Sequence, residues 1–303
     1  MARLSIADLP LPQQQYRPDR ARPCERSGHC FETKAEAREE NLIRAAGIRM
    51  AAWSVDAPFD QDAALALAER LERSRCLQHG DPGSMASKVY MGLQRICIGG
   101  ALWKLVDEQD GYNVFTVRPR GWLFTAEELA RLDPRRLIAG FRRVLDRQRA
   151  GQPLGFLIAA LHGEFDEDTG LFDVHLHGVA EPSMLRVVDG IRHLSNFKCR
   201  KSLGETPRVI IGRQPLTNLP YPLTYRFQSS WPKRWNGQID GVDERGNTRH
   251  RIPEPYHAAL LVWLDRWSLT DFTLLMGAHV GQSGFVLKTH KLDEKNVHKR
   301  RPD

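Results

Sequence analysis

Residues 155–181, GFLIAALHGEFDEDTGLFDVHLHGVAE, constrain the fold more than any other stretch of the chain. Two apolar runs are joined by Asp166-Glu-Asp-Thr-Gly170, an acidic turn ending in glycine. That pattern predicts a β-hairpin with strands over 155–165 and 171–180. Side chains alternate across a strand, so His175 and His177 share one face and Leu176 takes the other. Two imidazoles side by side on rigid backbone can serve one divalent metal ion. By the same two-residue period, His162 and Glu164 share a face of the preceding strand, and either can complete a three-ligand set. Asp173 and Glu181 are weaker alternates. A mixed His/carboxylate set suits Mg²⁺, Mn²⁺ or a transition metal without choosing among them.

The segments around the hairpin alternate strand and helix from residue 112 onward. Tyr112–Val117 is short and β-prone, and Thr125-Ala-Glu-Glu128 forms a capping box. Leu129, Leu132, Leu137, Phe141, Val144 and Leu145 follow as the apolar face of a long helix that Asp133-Pro134 kinks or divides. After the hairpin, Pro182 opens a helix through about residue 196. Residues 208–212 form another short strand, and a helix-like segment over 219–231 carries Tyr221 and Tyr225. The order β-α-β-β-α-β predicts an α+β fold with an antiparallel, ferredoxin-like split β-α-β sheet.

Outside that unit, residues 1–35 read as an irregular arm, with Cys24, His29 and Cys30 lacking the partners a zinc site needs. Residues 36–110 read as helical, with a third helix over 85–106 interrupted by Gly99-Gly100. The sheet domain takes 111–235, a loop and helical extension 236–289, and a charged, disordered tail 290–303. Within the extension, 233–252 is loop-like and 256–264 helical. The expected architecture is therefore the sheet with added N-terminal and C-terminal helices.

Of the 303 residues, 44 are basic and 37 acidic, giving a net charge of +7 that favours an anionic partner, nucleic acid above all. Seven arginines lie between Arg131 and Arg149. Arg131, Arg135, Arg136, Arg142 and Arg143 are candidate phosphate contacts, as are Arg192, Lys198, Arg200 and Lys201. Trp231 and Trp235, interleaved with Lys233 and Arg234, are candidates to stack unpaired bases. No apolar run approaches the ~20 residues of a membrane span. Five scattered cysteines and a start without a secretory signal lead us to expect a reduced, cytoplasmic compartment with no membrane partner.

Taken together these parts resemble the HUH endonucleases, in particular the rolling-circle replication initiators of plasmids and phages. Val114-Phe115-Thr116-Val117 loosely matches their Thr-rich first strand, and His175-Leu176-His177 matches their His-hydrophobic-His motif. His162 stands where a third metal ligand is expected. Tyr221-Pro-Leu-Thr-Tyr225 fits the YxxxY form of their nucleophile helix, although Ser229 occupies the place where a lysine would follow Tyr225. The resemblance covers about residues 112–232. It implies nicking and joining of single-stranded or origin DNA through a tyrosine–DNA intermediate, with Mg²⁺ or Mn²⁺ as cofactor. Tyr225 or Tyr221 would be the nucleophile and host replication proteins further partners. The alternatives are a non-catalytic DNA-binding protein on the same fold and a cupin-like metalloenzyme. The cupin reading rests on the glutamate that follows the histidines, Glu181, and it requires a strand where 182–196 reads as helix.

Overall fold

The computed structural model describes residues 4–11, 33–54, 57–74, 83–108, 111–149, 155–200, 205–212, 216, 223, 227, 230–234, 238–239, 242–243 and 251–288. The fold is α+β, with a mostly antiparallel sheet and several helices. Within the segment expected to be an irregular arm, Ile6–Asp8 form a single 3₁₀ turn, and Ile6 and Leu9 are buried.

Helix α1 (Lys34–Ala52) starts at Thr33, whose hydroxyl caps Glu36 N–H while the Glu36 carboxylate accepts from Thr33 N–H. The Asp60 carboxylate caps α2 (Gln61–Arg73) by accepting from Ala63 N–H. Helix α3 (Lys88–Glu108) runs unbroken through Gly99-Gly100, contrary to the expected interruption. A glycine pair lowers helix propensity by roughly 1 kcal/mol per residue relative to alanine. Burial of Cys97, Ile98 and Leu102 offsets that cost.

The sheet is built on β3 (Leu157–Asp166) and β4 (Leu171–Ala180), paired antiparallel over their whole length. β1 (Asn113–Val117) runs antiparallel to the second half of β4, and β2 (Leu123–Phe124) pairs with its start. β5 (Val209–Ile211) adds to the outer edge of β1. The spatial order is thus β5-β1-β4-β3, with β4 standing between the parallel strands β1 and β3. Between β1 and β3 the chain makes α4 (Ala126–Arg131) and α5 (Pro134–Arg149), separated where Pro134 lacks the N–H a continuous helix needs. Between β4 and β5 it makes α6 (Pro182–Gly190), followed by a 3₁₀ turn at Ile191–His193.

Part of the segment expected to be loop-like is extended. β6 (Lys233–Arg234) joins the far edge of β3 in parallel, and β7 (Gln238–Ile239) pairs with β8 (Val242–Asp243). Farther on, α7 (Tyr256–Asp265) is apolar nearly all round and buried from His257 to Leu264. Such a helix belongs between layers. It packs against α1, α2 and α4, and against the sheet through Phe165–Tyr256 and the chain Phe172–Trp231–Trp263. The indole N–H of Trp263 donates to the Leu132 carbonyl at 2.9 Å. Last, β9 (Thr273–Met276) closes the open edge of β3, and β10 (Ala278–Gly281) pairs with β11 (Gly284–Leu287).

The hairpin therefore has a leucine face and a histidine face. Leu161, Phe165, Phe172, Val174 and Leu176 point toward the α7 layer. His162, Glu164, Asp173, His175 and His177 point the other way. Among the described residues no helix is long and apolar enough to cross a membrane.

Candidate metal centre

Register builds the site. The turn that joins β3 and β4 is closed by Gly170 N–H donating to Asp166 O (2.8 Å), with Gly170 at φ 68°. The Asp166 carboxylate also accepts from Asp168 and Thr169 N–H at 3.1 and 3.2 Å. With the turn fixed, His162 stands directly opposite His175, and Ala160 opposite His177. A slip of one residue would send the histidines to the other face. As built, the rings of His162, His175 and His177 lie 4.8–5.4 Å apart between centroids. One nitrogen from each lies within 4.8 Å of the other two, and the residues are 2, 0 and 8% exposed.

Hydrogen bonds decide how the rings present themselves. Nδ1 of His175 lies 2.9 Å from the Asp173 main-chain carbonyl. A carbonyl only accepts, so Nδ1 carries the proton and Nε2 keeps its lone pair. That Nε2 is 3.1 Å from Nε2 of His177, whose Nδ1 is 2.8 Å from Oγ1 of Thr116 on β1. Burial pushes the His175 imidazole down to about 3; the Arg118 guanidinium acts in the same direction and Glu164 opposes it. The ring is therefore neutral at physiological pH, the form a metal requires. Metal–nitrogen bonds of about 2.1 Å at roughly 90–110° separate two donors by about 3.0–3.4 Å. The 3.1 Å between the Nε2 atoms fits that range, and the three histidines can hold a metal ion.

Beside the imidazoles lies a crossed ion network that the sequence reading did not anticipate. Arg118 bridges Asp173 (2.8 Å) and Glu164 (3.1 Å), and Arg234 bridges the same two carboxylates at 2.7 and 2.9 Å. Burial raises the Glu164 carboxyl, but the two guanidiniums and His175 outweigh it and hold the group at about 2. Glu164 shares the histidine face as expected, yet its carboxylate serves arginines, and among the described residues the metal-competent group consists of the three histidines. Asp173 contributes its main-chain carbonyl to His175 and its carboxylate to the same arginines. Glu181 is the N-cap residue of α6, past the far end of β4. The two-residue period from Thr116 would have placed Arg118 on this face; nothing local announces Arg234, which arrives from 70 residues downstream of Glu164.

The candidate nucleic-acid contacts are scattered. Trp231 is a correction: it is 4% exposed, with Phe172, Trp263 and His162 around its ring, which leaves no face for a base. A side chain at Gly163 would run into that indole. Lys233 pairs with Glu167 (2.6 Å), and Arg234 belongs to the network above. Arg131, Arg136 and Arg143 are exposed, and Arg142 lies 3.8 Å from Asp146. Arg135 pairs with Asp133 at 2.9 Å and lies over the Trp267 ring. All five stand on α4 and α5, which belong to the layer on the leucine side, across the sheet from the histidines. Lys198 and Arg200 are exposed after α6, where Arg192 pairs with Asp189. Tyr221, Tyr225, Lys201, Trp235, Cys24, His29 and Cys30 lie outside the described residues. Leu223 and Phe227, which alternate with the two tyrosines in sequence, are buried.

No protein-family model, curated protein or solved structure matches the chain.

Proposed function

We propose that the protein is a metal-dependent HUH-type nuclease that nicks and rejoins single-stranded DNA through a tyrosine–DNA intermediate. The observation that carries this reading is the cluster of three buried imidazoles on the central hairpin, with His-Leu-His on β4 and the third histidine directly opposite on β3. The strand order β5-β1-β4-β3, with helices between β1 and β3 and between β4 and β5, supports it as a split β-α-β arrangement. Helix α6, following directly on β4 at Pro182, speaks against a cupin barrel, which needs a strand there.

His162, His175 and His177 would hold the ion through their ring nitrogens. An all-imidazole set is softer than the mixed set expected from sequence, so of Mg²⁺ and Mn²⁺ it favours the transition ion. When bound, the ion supplies positive charge that polarises the scissile phosphate and favours departure of the 3′ oxygen. Tyr225, or Tyr221, supplies the attacking phenolic oxygen. The bond from that oxygen to phosphorus forms as the bond to the 3′ oxygen breaks. The phenol's proton is lost, the 3′ oxygen gains one, and a 5′-phosphotyrosyl ester and a free 3′-OH result. The ester conserves the bond energy, so rejoining needs no nucleotide triphosphate.

The test is adduct formation with a pool of single-stranded oligonucleotides and Mn²⁺, read on a denaturing gel. Wild type gives a covalent protein–DNA band that chelator abolishes and the Tyr221→Phe/Tyr225→Phe double variant lacks. No band from wild type, or an equal band from the double variant, overturns the reading.

A further inference from the structure

Around His175 and His177 runs a chain of hydrogen bonds whose direction is fixed at one end. The Asp173 carbonyl forces the Nδ1 proton onto His175, so the Nε2 of His175 offers a lone pair to the Nε2 of His177 across 3.1 Å. Two bare lone pairs at that distance in a buried site repel. Either His177 carries its proton on Nε2 and donates it to His175, or a cation stands between the rings. These two cases require opposite tautomers of His177. In a singly protonated ring the first makes Nδ1 an acceptor; the second puts the proton on Nδ1, which must donate.

Nδ1 of His177 lies 2.8 Å from Oγ1 of Thr116. Thr116 is the β1 residue directly opposite His177 in the β1–β4 ladder, so strand register puts the hydroxyl there. A hydroxyl serves both tautomers, because it donates or accepts after rotating about its Cβ–Oγ bond. A carbonyl could only accept, and a backbone N–H could only donate. Metal-ligating histidines are held by such partners on their second nitrogen, which fix ring orientation and tautomer.

We propose that Thr116 is a positioning residue whose hydroxyl reverses its hydrogen bond when a divalent cation binds, letting His177 exchange its Nε2 proton for one on Nδ1. The exchange moves one proton across the ring without changing its charge, and both states keep their hydrogen bonds. The proposal rests on the three-histidine metal centre and needs nothing from the DNA chemistry. Without the hydroxyl the metal-free ring can still turn toward another partner. A ring pinned by the metal cannot, and its Nδ1–H loses the acceptor that Thr116 supplies. Loss of the hydroxyl therefore weakens binding.

The experiment uses the full chain stripped of metal, with Zn²⁺ as a diamagnetic probe, in wild type, Thr116→Val and Thr116→Ser. Histidine ¹⁵N spectra read the tautomer, and calorimetric titration reads affinity. In wild type the His177 proton moves from Nε2 to Nδ1 on saturation with Zn²⁺. Thr116→Val binds about 10–100-fold more weakly, and Thr116→Ser, which keeps the hydroxyl, recovers to within a few-fold. An unchanged His177 tautomer in wild type that does bind Zn²⁺ overturns the proposal alone, and that readout stands even if a variant fails to fold. So does Thr116→Val affinity equal to wild type. If wild type binds no Zn²⁺, the metal centre and the proposal fall together.

Discussion

The two faces of the β3–β4 hairpin are both buried, yet they are held by different physics. On the leucine face, Leu161, Phe165, Phe172, Val174 and Leu176 are apolar and pack against the α7 layer, so water exclusion and close contact satisfy them. On the histidine face the same backbone buries three imidazoles and, at its turn-proximal end, carries two half-buried carboxylates held by two guanidiniums. Buried polar atoms cost stability unless each finds a partner, and one nitrogen from each of the three rings lies within 4.8 Å of the other two, close enough to share one cation. Burial alone marks no function. What distinguishes the faces is which atoms are buried and what would complete them.

That contrast can be broken from either side. Leu176→Ala should cost about 2–5 kcal/mol of unfolding free energy by opening a cavity on the leucine face. Metal affinity of the folded molecule should stay within a few-fold of wild type, since Leu176 points away from the imidazoles. Denaturant unfolding and metal titration on the same sample check both halves. Arg118→Leu should cost less, about 1–2 kcal/mol, because Arg234 still bridges both carboxylates and the network is partly exposed. It should also raise the carboxyl of Glu164 from about 2 and the imidazole of His175 from about 3, since Arg118 depresses both; side-chain NMR titration reads each.

The gentlest perturbation is acid. In the folded protein His175 sits at about 3 against an ordinary 6.5, and Glu164 at about 2 against 4.5. Both values are depressed, so on acidification the unfolded chain takes up protons first. Stability is therefore full above pH 6.5, declines toward pH 3 through His175, and declines between 4.5 and 2 through Glu164. Melting temperatures of metal-free protein at stepped pH should show both windows. His175→Ala should remove the upper one and keep the lower.

Much of the hairpin was legible because its signals are local. The Asp166–Gly170 turn, the two-residue period and the His-Leu-His spacing fix register, and register alone puts His162 opposite His175. The capping box at Thr125 and the break at Pro134 are likewise written into a few adjacent residues. What escaped depends on distant partners. β6 and β9 are short strands that exist because β3 offers them an edge, one at each end. Arg234 reads from sequence as a candidate nucleic-acid contact because its carboxylates lie far away along the chain. Trp231, beside Lys233 and Arg234, read as a stacking platform, but the space over Gly163 draws it into the core. Glycines 99 and 100 looked like a break, and α3 is carried through them by tertiary packing.

The central claim is that His162, His175 and His177 together form one metal site. Calorimetric titration of chelator-treated protein with Mn²⁺ tests it most directly, comparing wild type with single alanine variants at these three positions. His279→Ala, at an exposed position on β10, serves as the control. The account predicts one equivalent bound by wild type and by the control, and affinity lower by about 100-fold or more in each of the three variants. Binding that survives unchanged in His162→Ala, His175→Ala and His177→Ala would contradict it.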